Sequence, residues 1–356
     1  MTLVSTDIGC DTSTLDLARK LHAYDAVIAA SGDASTLDLE DLLEADDGEV
    51  RVGVIDALRV LGESASLHAC SIVRLLGDEN RRVREAALES FFFLGESAAP
   101  HISEVVRLLG HPHMDVRSVA LEALGSLGHF GTADPFAAEM ASLLNDDCWP
   151  VRTAAVKALG RLPAAATPFV LLMVKMLRDT CWVVRAAAVE ALGNLDIAHL
   201  APQMANLLRD HCWIVRASAL KGLGALGAAC GSQADEVAIC LADDEVRVRS
   251  LALHVLGNCG SASAPHAVSI AKLLVFGDKD LSDAAVQCLL LLGQHASSAE
   301  SFLTTLSGKC EAVVEVLQAL RVERASCVDG GLPNTVPNSC PEEIDLSVHE
   351  DGVHMS

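Results

Sequence analysis

One phrase recurs eight times along the chain, and it limits the fold more than any other feature. It reads VRVGVIDALRVLG from Val50, VREAALESFFFLG from Val83, VRSVALEALGSLG from Val116 and VRTAAVKALGRLP from Val151. It returns as VRAAAVEALGNLD from Val184, VRASALKGLGALG from Val215 and VRSLALHVLGNCG from Val248. An eighth copy, LSDAAVQCLLLLG from Leu281, has lost its Arg. The Arg residues fall at 51, 84, 117, 152, 185, 216 and 249, in steps of 31 to 35 residues. A period of that size means stacked copies of one supersecondary unit.

Counted from the Arg as position zero, positions −1, +3, +4, +7 and +10 are apolar nearly throughout, one stripe of an amphipathic helix. Position +8 is glycine at Gly125, Gly160, Gly193, Gly224 and Gly257. Glycine inside a helix costs about 1 kcal/mol against Ala. Its recurrence implies that a neighbouring backbone comes close there. A second helix precedes each copy. It ends at apolar pairs such as Leu75-Leu76 and Leu143-Leu144 and starts at Pro100, Pro135, Pro168 and Pro265, all at position −17. Proline suits a first helical turn, where its missing N–H has no intrahelical partner to lose. Each unit reads as helix A, an acidic turn, helix B and a glycine turn. One such hairpin cannot bury its own stripe, whereas stacked neighbours can. The expected fold is all-α, a right-handed superhelical solenoid of about eight hairpins.

Composition agrees. Aromatic residues are only 3% of the chain, so the core is Ala, Leu and Val, as closely packed helices prefer. The formal net charge is −22, with no clustered Lys/Arg patch. That excludes nucleic acid and an anionic membrane surface as partners. None of the 12 cysteines is in a C-x-x-C pair, so no zinc ribbon or thioredoxin-like motif is expected. The first residues lack the pattern of a signal peptide, and no apolar run approaches membrane-spanning length. A cytoplasmic, monomeric protein is the default expectation. Residues 1–33 read as an acidic segment with a capping helix, 34–322 as the solenoid with a degenerate last hairpin, and 323–356 as a disordered acidic tail.

The V-R-x-x-A-[LV]-x-x-L-G core, its period and an Asp six residues before the Arg resemble the HEAT-repeat family, in the short form typified by phycobilin-lyase HEAT-like repeats. The resemblance covers about 34–293. It implies an Asp–Arg ladder between adjacent repeats, with Asp78, Arg84, Asp146, Arg152, Asp179, Arg185, Asp210, Arg216, Asp243 and Arg249 as members. The third copy departs, with His111 at the Asp position, and the first has Ala45 followed by Asp46. The resemblance also places the B helices on a concave face. Two enzyme classes share the fold. Deoxyhypusine hydroxylase needs several His-Glu pairs, and this chain has only His349-Glu350, in the tail. The bilin lyases carry no discrete signature to seek. Motifs for nucleotide, zinc-protease or serine-hydrolase chemistry are absent.

The local feature richest in information is the run DDCWPVR, DTCWVVR and DHCWIVR, which holds all three tryptophans, Trp149, Trp182 and Trp213, at position −3. Two readings stand: a binding ridge along three B helices, or indoles packed between repeats. Position +5 should face the same surface and reads Glu122, Lys157, Glu190 and Lys221 in the third to sixth copies, with Arg161 at +9. The cysteines Cys148, Cys181 and Cys212 at −4 are expected to be small half-buried turn residues. Successive layers lie about 10 Å apart, too far for a shared ion or a disulfide. His111-Pro112-His113 with Asp115 is too weak a pattern for a metal. His68, His101 and His266 share position −16 with Phe136 and Phe169 of other copies, which points to packing. In the tail, the acidic-aliphatic run Glu342 to Ser347 has the form of a short docking peptide. The reading is a non-catalytic scaffold or adaptor without cofactor or metal that captures a protein partner on the concave face. A bilin lyase-like role and a phosphatase-type scaffold are the alternatives.

Overall fold

The computed structural model describes residues 36–60, 66–195, 198–276, 279–305 and 311–328. The expected N-terminal capping helix, His349-Glu350 and the acidic-aliphatic run of the tail lie outside them. Among the described residues every regular element is helical. The hairpins are α1 (Thr36–Leu43) with α2 (Gly48–Val60), α3 (Ala69–Leu75) with α4 (Arg81–Leu94), α5 (Ile102–Leu108) with α6 (Met114–Ser126), and α7 (Ala137–Ser142) with α8 (Trp149–Gly160). A single turn, α9 (Pro163–Ala166), leads to α10 (Val170–Met176) with α11 (Trp182–Asn194), then α12 (Ala201–Ala205) with α13 (Trp213–Ala225). The array ends with α14 (Ala234–Ile239) and α15 (Val246–Asn258), α16 (Ala267–Phe276) and α17 (Lys279–Leu292), and α18 (Glu300–Thr305) and α19 (Glu311–Val328). The fold is an α-solenoid. The degenerate last hairpin is present, and its second helix runs past residue 322 to Val328.

The A helices are shorter than the proline positions suggest. Pro100, Pro135, Pro168 and Pro265 lie in 3-10 turns, and regular α-helix begins two residues later, at Ile102, Ala137, Val170 and Ala267. The same entry occurs at Gly227–Gln233 and Gly293–Ala299, which hold no proline, so the tighter turn belongs to the repeat and proline is accommodated in it. Gly95, Gly227, Gly260 and Gly293, at position +11, start several of these turns with φ between 49° and 56°. That left-handed region costs a side chain that glycine does not carry.

Neighbouring B helices pack side by side along the array, whereas neighbouring A helices touch each other little. Closer spacing on one side curves the stack, with the B helices inside. The glycines at +8 set that spacing. A Cβ on Gly160 would come within 2.8 Å of the Ala191 Cα, and one on Gly125 within 3.0 Å of the Ala158 Cα. Ala158 and Ala191 both stand at +6 of the next copy, so the close backbone approach inferred from the sequence holds at Gly125 and Gly160, whereas Gly193 has its nearest neighbour at 3.5 Å and Gly224 meets only the Val255 side chain at 3.3 Å. In the second copy Phe92 occupies the glycine position. There α4 and α6 make the sparsest contact of any neighbouring B pair between α2 and α17. Phe92 and Phe93 stand 45% and 74% exposed. The loosest junction of that stretch thus has a phenylalanine at the glycine position, a position also filled by Arg59 in the first copy and Leu290 in the eighth. Among the described residues no single helix is long and apolar enough to cross a membrane. Residues Trp149–Gly160 and Pro163–Met176 reach that length only together, across a bend of 115°.

Gly160→Ala and Gly193→Ala are expected to behave oppositely. The first forces a methyl against the Ala191 backbone and should lose about 1–3 kcal/mol by overpacking. The second meets nothing nearer than the Gly222 Cα at 3.5 Å, so the helix-propensity gain of up to about 1 kcal/mol should prevail. Urea denaturation of the two variants measures both.

Candidate partner-binding face and the ladder beneath it

The ladder runs between hairpins. Arg152 donates from Nε and Nη2 to Asp179 of the next repeat at 2.7 and 2.9 Å, and from Nη1 to the carbonyls of its own Asp146 and Asp147. Arg117 with Asp146, Arg185 with Asp210, and Arg216 with Asp243 repeat this two-point pattern. Each Asp also accepts an amide N–H two residues on, from Cys148, Cys181, Cys212 or Glu245. That residue is the N-cap of helix B, which accounts for the cysteine column: half-buried turn positions, as expected.

At His111 the ladder continues by another route. Arg84 turns to Asp115, four residues later, through one bond of 3.2 Å. Arg51 likewise makes one bond, to Asp78. Both leave a buried Nε without a partner. Arg51, Arg117 and Asp115 are thus rungs beyond the expected set. Arg249, an expected member, bonds the carbonyls of Asp243 and Asp244, and the eighth copy has Phe276 at the Asp position. Asp115 is engaged by Arg84, and His111 Nδ1 accepts the His113 amide, so those residues do not converge on an ion.

Burial pushes the Asp146, Asp179, Asp210 and Asp243 carboxyls up, but hydrogen bonds from the facing Arg and the capping amide, with the Arg charge, outweigh it and hold them below the ordinary value. A carboxyl depressed on folding contributes stability that is complete above its unfolded pKa and is lost as pH falls through the folded one. The ladder should therefore hold at neutral pH and fail below about pH 4. The Arg185–Asp210 side chains are each 7% exposed. Asp210→Asn should cost about 3–5 kcal/mol, because it strands a buried guanidinium. It should also flatten the acid limb of stability, read by denaturation at neutral and acid pH.

Above the ladder, positions −3, +1, +5 and +9 are spaced by four and share one face of each B helix. The three tryptophans open α8, α11 and α13, but they are not equivalent. Trp149 and Trp182 are 41% and 38% exposed and stand apart from the core. Trp213 packs against the core, with the Arg247 guanidinium 5.7 Å from its ring centroid. The −3 column extends beyond them to exposed Met114 and Val246, which open α6 and α15. Five successive B helices thus begin with an apolar ridge, and the sequence reading identified only its aromatic centre. Beside the ridge, +1 is small: Ser118, Thr153, Ala186, Ala217 and Ser250. Beyond lie exposed Glu122, Lys157, Glu190 and Lys221, with Arg161 at +9. Although its surface is open to water, desolvation by neighbouring groups raises the Glu122 carboxyl, against the lowering charges of Lys157 and Arg161. The face is a shallow trough of small residues between an apolar wall and a mixed-charge row.

Trp213→Ser should destabilise the fold by about 2 kcal/mol or more, while Trp149→Ser and Trp182→Ser should stay within about 1 kcal/mol of the parent. Thermal melts of the three variants decide this.

The family model described as HEAT repeats matches residues 102–171 and 170–257. No curated protein matches the sequence. Among solved structures, the chain is similar to one from a study of Kap95p bound to RanGDP, in which Kap95p binding induces the switch loops of RanGDP to adopt the GTP-bound conformation. The TM-score is 0.69 at 14% identity, over 90% of this chain and 52% of the other. The likeness is one of fold, and this chain spans about half the length of that one.

Proposed function

We propose that this HEAT-repeat chain is a non-catalytic scaffold that captures a segment of a protein partner in the trough of its B helices. The carrying observation is the exposure of Trp149 and Trp182, flanked by Met114 and Val246, on consecutive helices that are otherwise well packed. Large rigid aromatics on a solvated face are unusual for packing and frequent at the centre of interfaces. The binding of RanGDP by Kap95p, a solenoid of similar fold, supports the reading by analogy. The small column at +1 lets a partner backbone approach, and the row from Glu122 to Lys221 offers alternating charges for register. Binding draws on apolar area removed from water, at about 25 cal/mol per Å² before association costs. The same reading keeps the chain cytoplasmic, without cofactor and outside the bilin lyases, although its short repeats resemble theirs. A phosphatase-type complex is one setting for such a scaffold.

The test is affinity enrichment with the full chain, comparing the parent with a Trp149→Ser/Trp182→Ser double variant of equal thermal stability. Partners held by the trough should be lost, with affinity down at least about 30-fold if each indole contributes as an interface anchor. Unchanged capture rejects the trough as the site. Stoichiometric binding of a free bilin, lost in the same variant, would favour the lyase-like alternative.

A further inference from the structure

We propose that Cys70, His101 and Glu104 form a zinc site joining the second and third hairpins. The repeat register brings these groups together. Position −14 of one copy meets position −16 of the next, as Asp235 and His266 show with an Oδ1–Nε2 separation of 2.8 Å. In the second and third copies the same two positions are Cys70, on α3, and His101, the N-cap of α5. Glu104 follows His101 by three residues on the same helical face. The Cys70 Sγ, one His101 ring nitrogen and one Glu104 carboxylate oxygen all lie within 4.8 Å of one another, the one such trio of ligand atoms among the described residues.

The geometry is that of ligands sharing an ion rather than of groups bonded to each other. His101 Nδ1 stands 3.3 Å from Glu104 Oε2. Yet Oε2 is buried and has no hydrogen-bond partner. Two tetrahedral zinc ligands, one nitrogen and one oxygen, lie about 3.4 Å apart. Thiolate, imidazole and carboxylate together suit zinc, whereas magnesium and calcium prefer all-oxygen sets. On binding, the Cys70 thiol releases its proton to solvent, Nδ1 donates its lone pair, and a water completes the fourth position. The other Glu104 oxygen lies 3.7 Å from the Arg107 guanidinium, which orients the carboxylate from outside. All three side chains are half-buried, so an ion has a way in.

His101 interchanges with Phe136 and Phe169 in other copies, so ligation is not a property of the repeat. It belongs to this junction, where α4 and α6 make sparse contact and Arg84 makes a one-point rung. An ion held by α3 and α5 would tie these two hairpins where direct packing is weakest.

The experiment uses the full chain, reduced and stripped of metal by a chelator, titrated with Co²⁺ and then Zn²⁺. One equivalent of Co²⁺ should give thiolate-to-cobalt charge transfer in the near ultraviolet with tetrahedral visible bands, and Zn²⁺ should displace it and raise the thermal midpoint. Loss of an outer-shell partner already weakens metal binding by about 10–100-fold, so Cys70→Ser and Glu104→Gln should each lower zinc affinity by about 100-fold or more and abolish the thermal shift. Asp235→Asn, at the equivalent two-donor position, should change neither. Absence of the charge-transfer band in the parent chain overturns the proposal. So does equal zinc uptake by the parent and by Glu104→Gln, which decides the matter even if Cys70→Ser fails to fold.

Discussion

The array depends on one buried ion pair repeated between neighbours. A guanidinium presents five donors in a fixed fork, and here they are divided between two hairpins: Nη1 serves carbonyls of its own turn, while Nε and Nη2 serve the next repeat's carboxylate. The carboxylate in turn holds the amide that starts its own helix B. Lysine has no planar fork and cannot satisfy both sides at once. Because desolvation offsets much of the Coulombic gain, the ladder adds less to net stability than its geometry suggests. Its larger effect is on register. Each hairpin can seat on its neighbour in one position only, since a slip would leave a charge buried and unpaired.

Register then determines the surface. With the ladder holding the turns and the +8 glycines letting adjacent B helices approach, equivalent residues of successive copies come into rows. An unremarkable residue in one helix becomes part of a stripe. Met114, Trp149, Trp182, Trp213 and Val246 are a ridge only because five helices begin at the same level. The ladder gives two-point rungs from Arg117 to Arg216, beneath much of this stretch. Among the described residues, the buried polar side-chain atoms without partners, by contrast, fall between Glu49 and Thr132.

The sequence made the solenoid legible because its period, apolar stripe, glycine column and Asp–Arg offset were separate signals for one unit. Features were hidden where a copy departs from the pattern or where two copies must be superposed in space. Asp115 could replace His111 only because the turn brings a carboxylate from four residues away to the same guanidinium. Trp213 differs from Trp149 and Trp182 through Arg247, a residue of the following repeat. The 3-10 entries to the A helices occur in copies with and without proline, a tightening that the helical periodicity masks. The meeting of positions −14 and −16, which brings Cys70 to His101, has no mark in either copy alone.

These differences divide the molecule mechanically. In a stack where each unit touches only its neighbours, stiffness is set junction by junction. From the third hairpin to the seventh, two-point rungs and close B-helix contacts act together, and a face carried there is held in shape before a partner arrives. Such preorganisation lowers the ordering cost of association. The junction ahead of it has a one-point rung and a phenylalanine in place of glycine, so bending concentrates there. A ligand that bridges that junction changes the angle of the first two hairpins without disturbing the trough. The proposed partner capture and the proposed setting of that angle would therefore vary independently, because the interactions that would control them lie at different repeats.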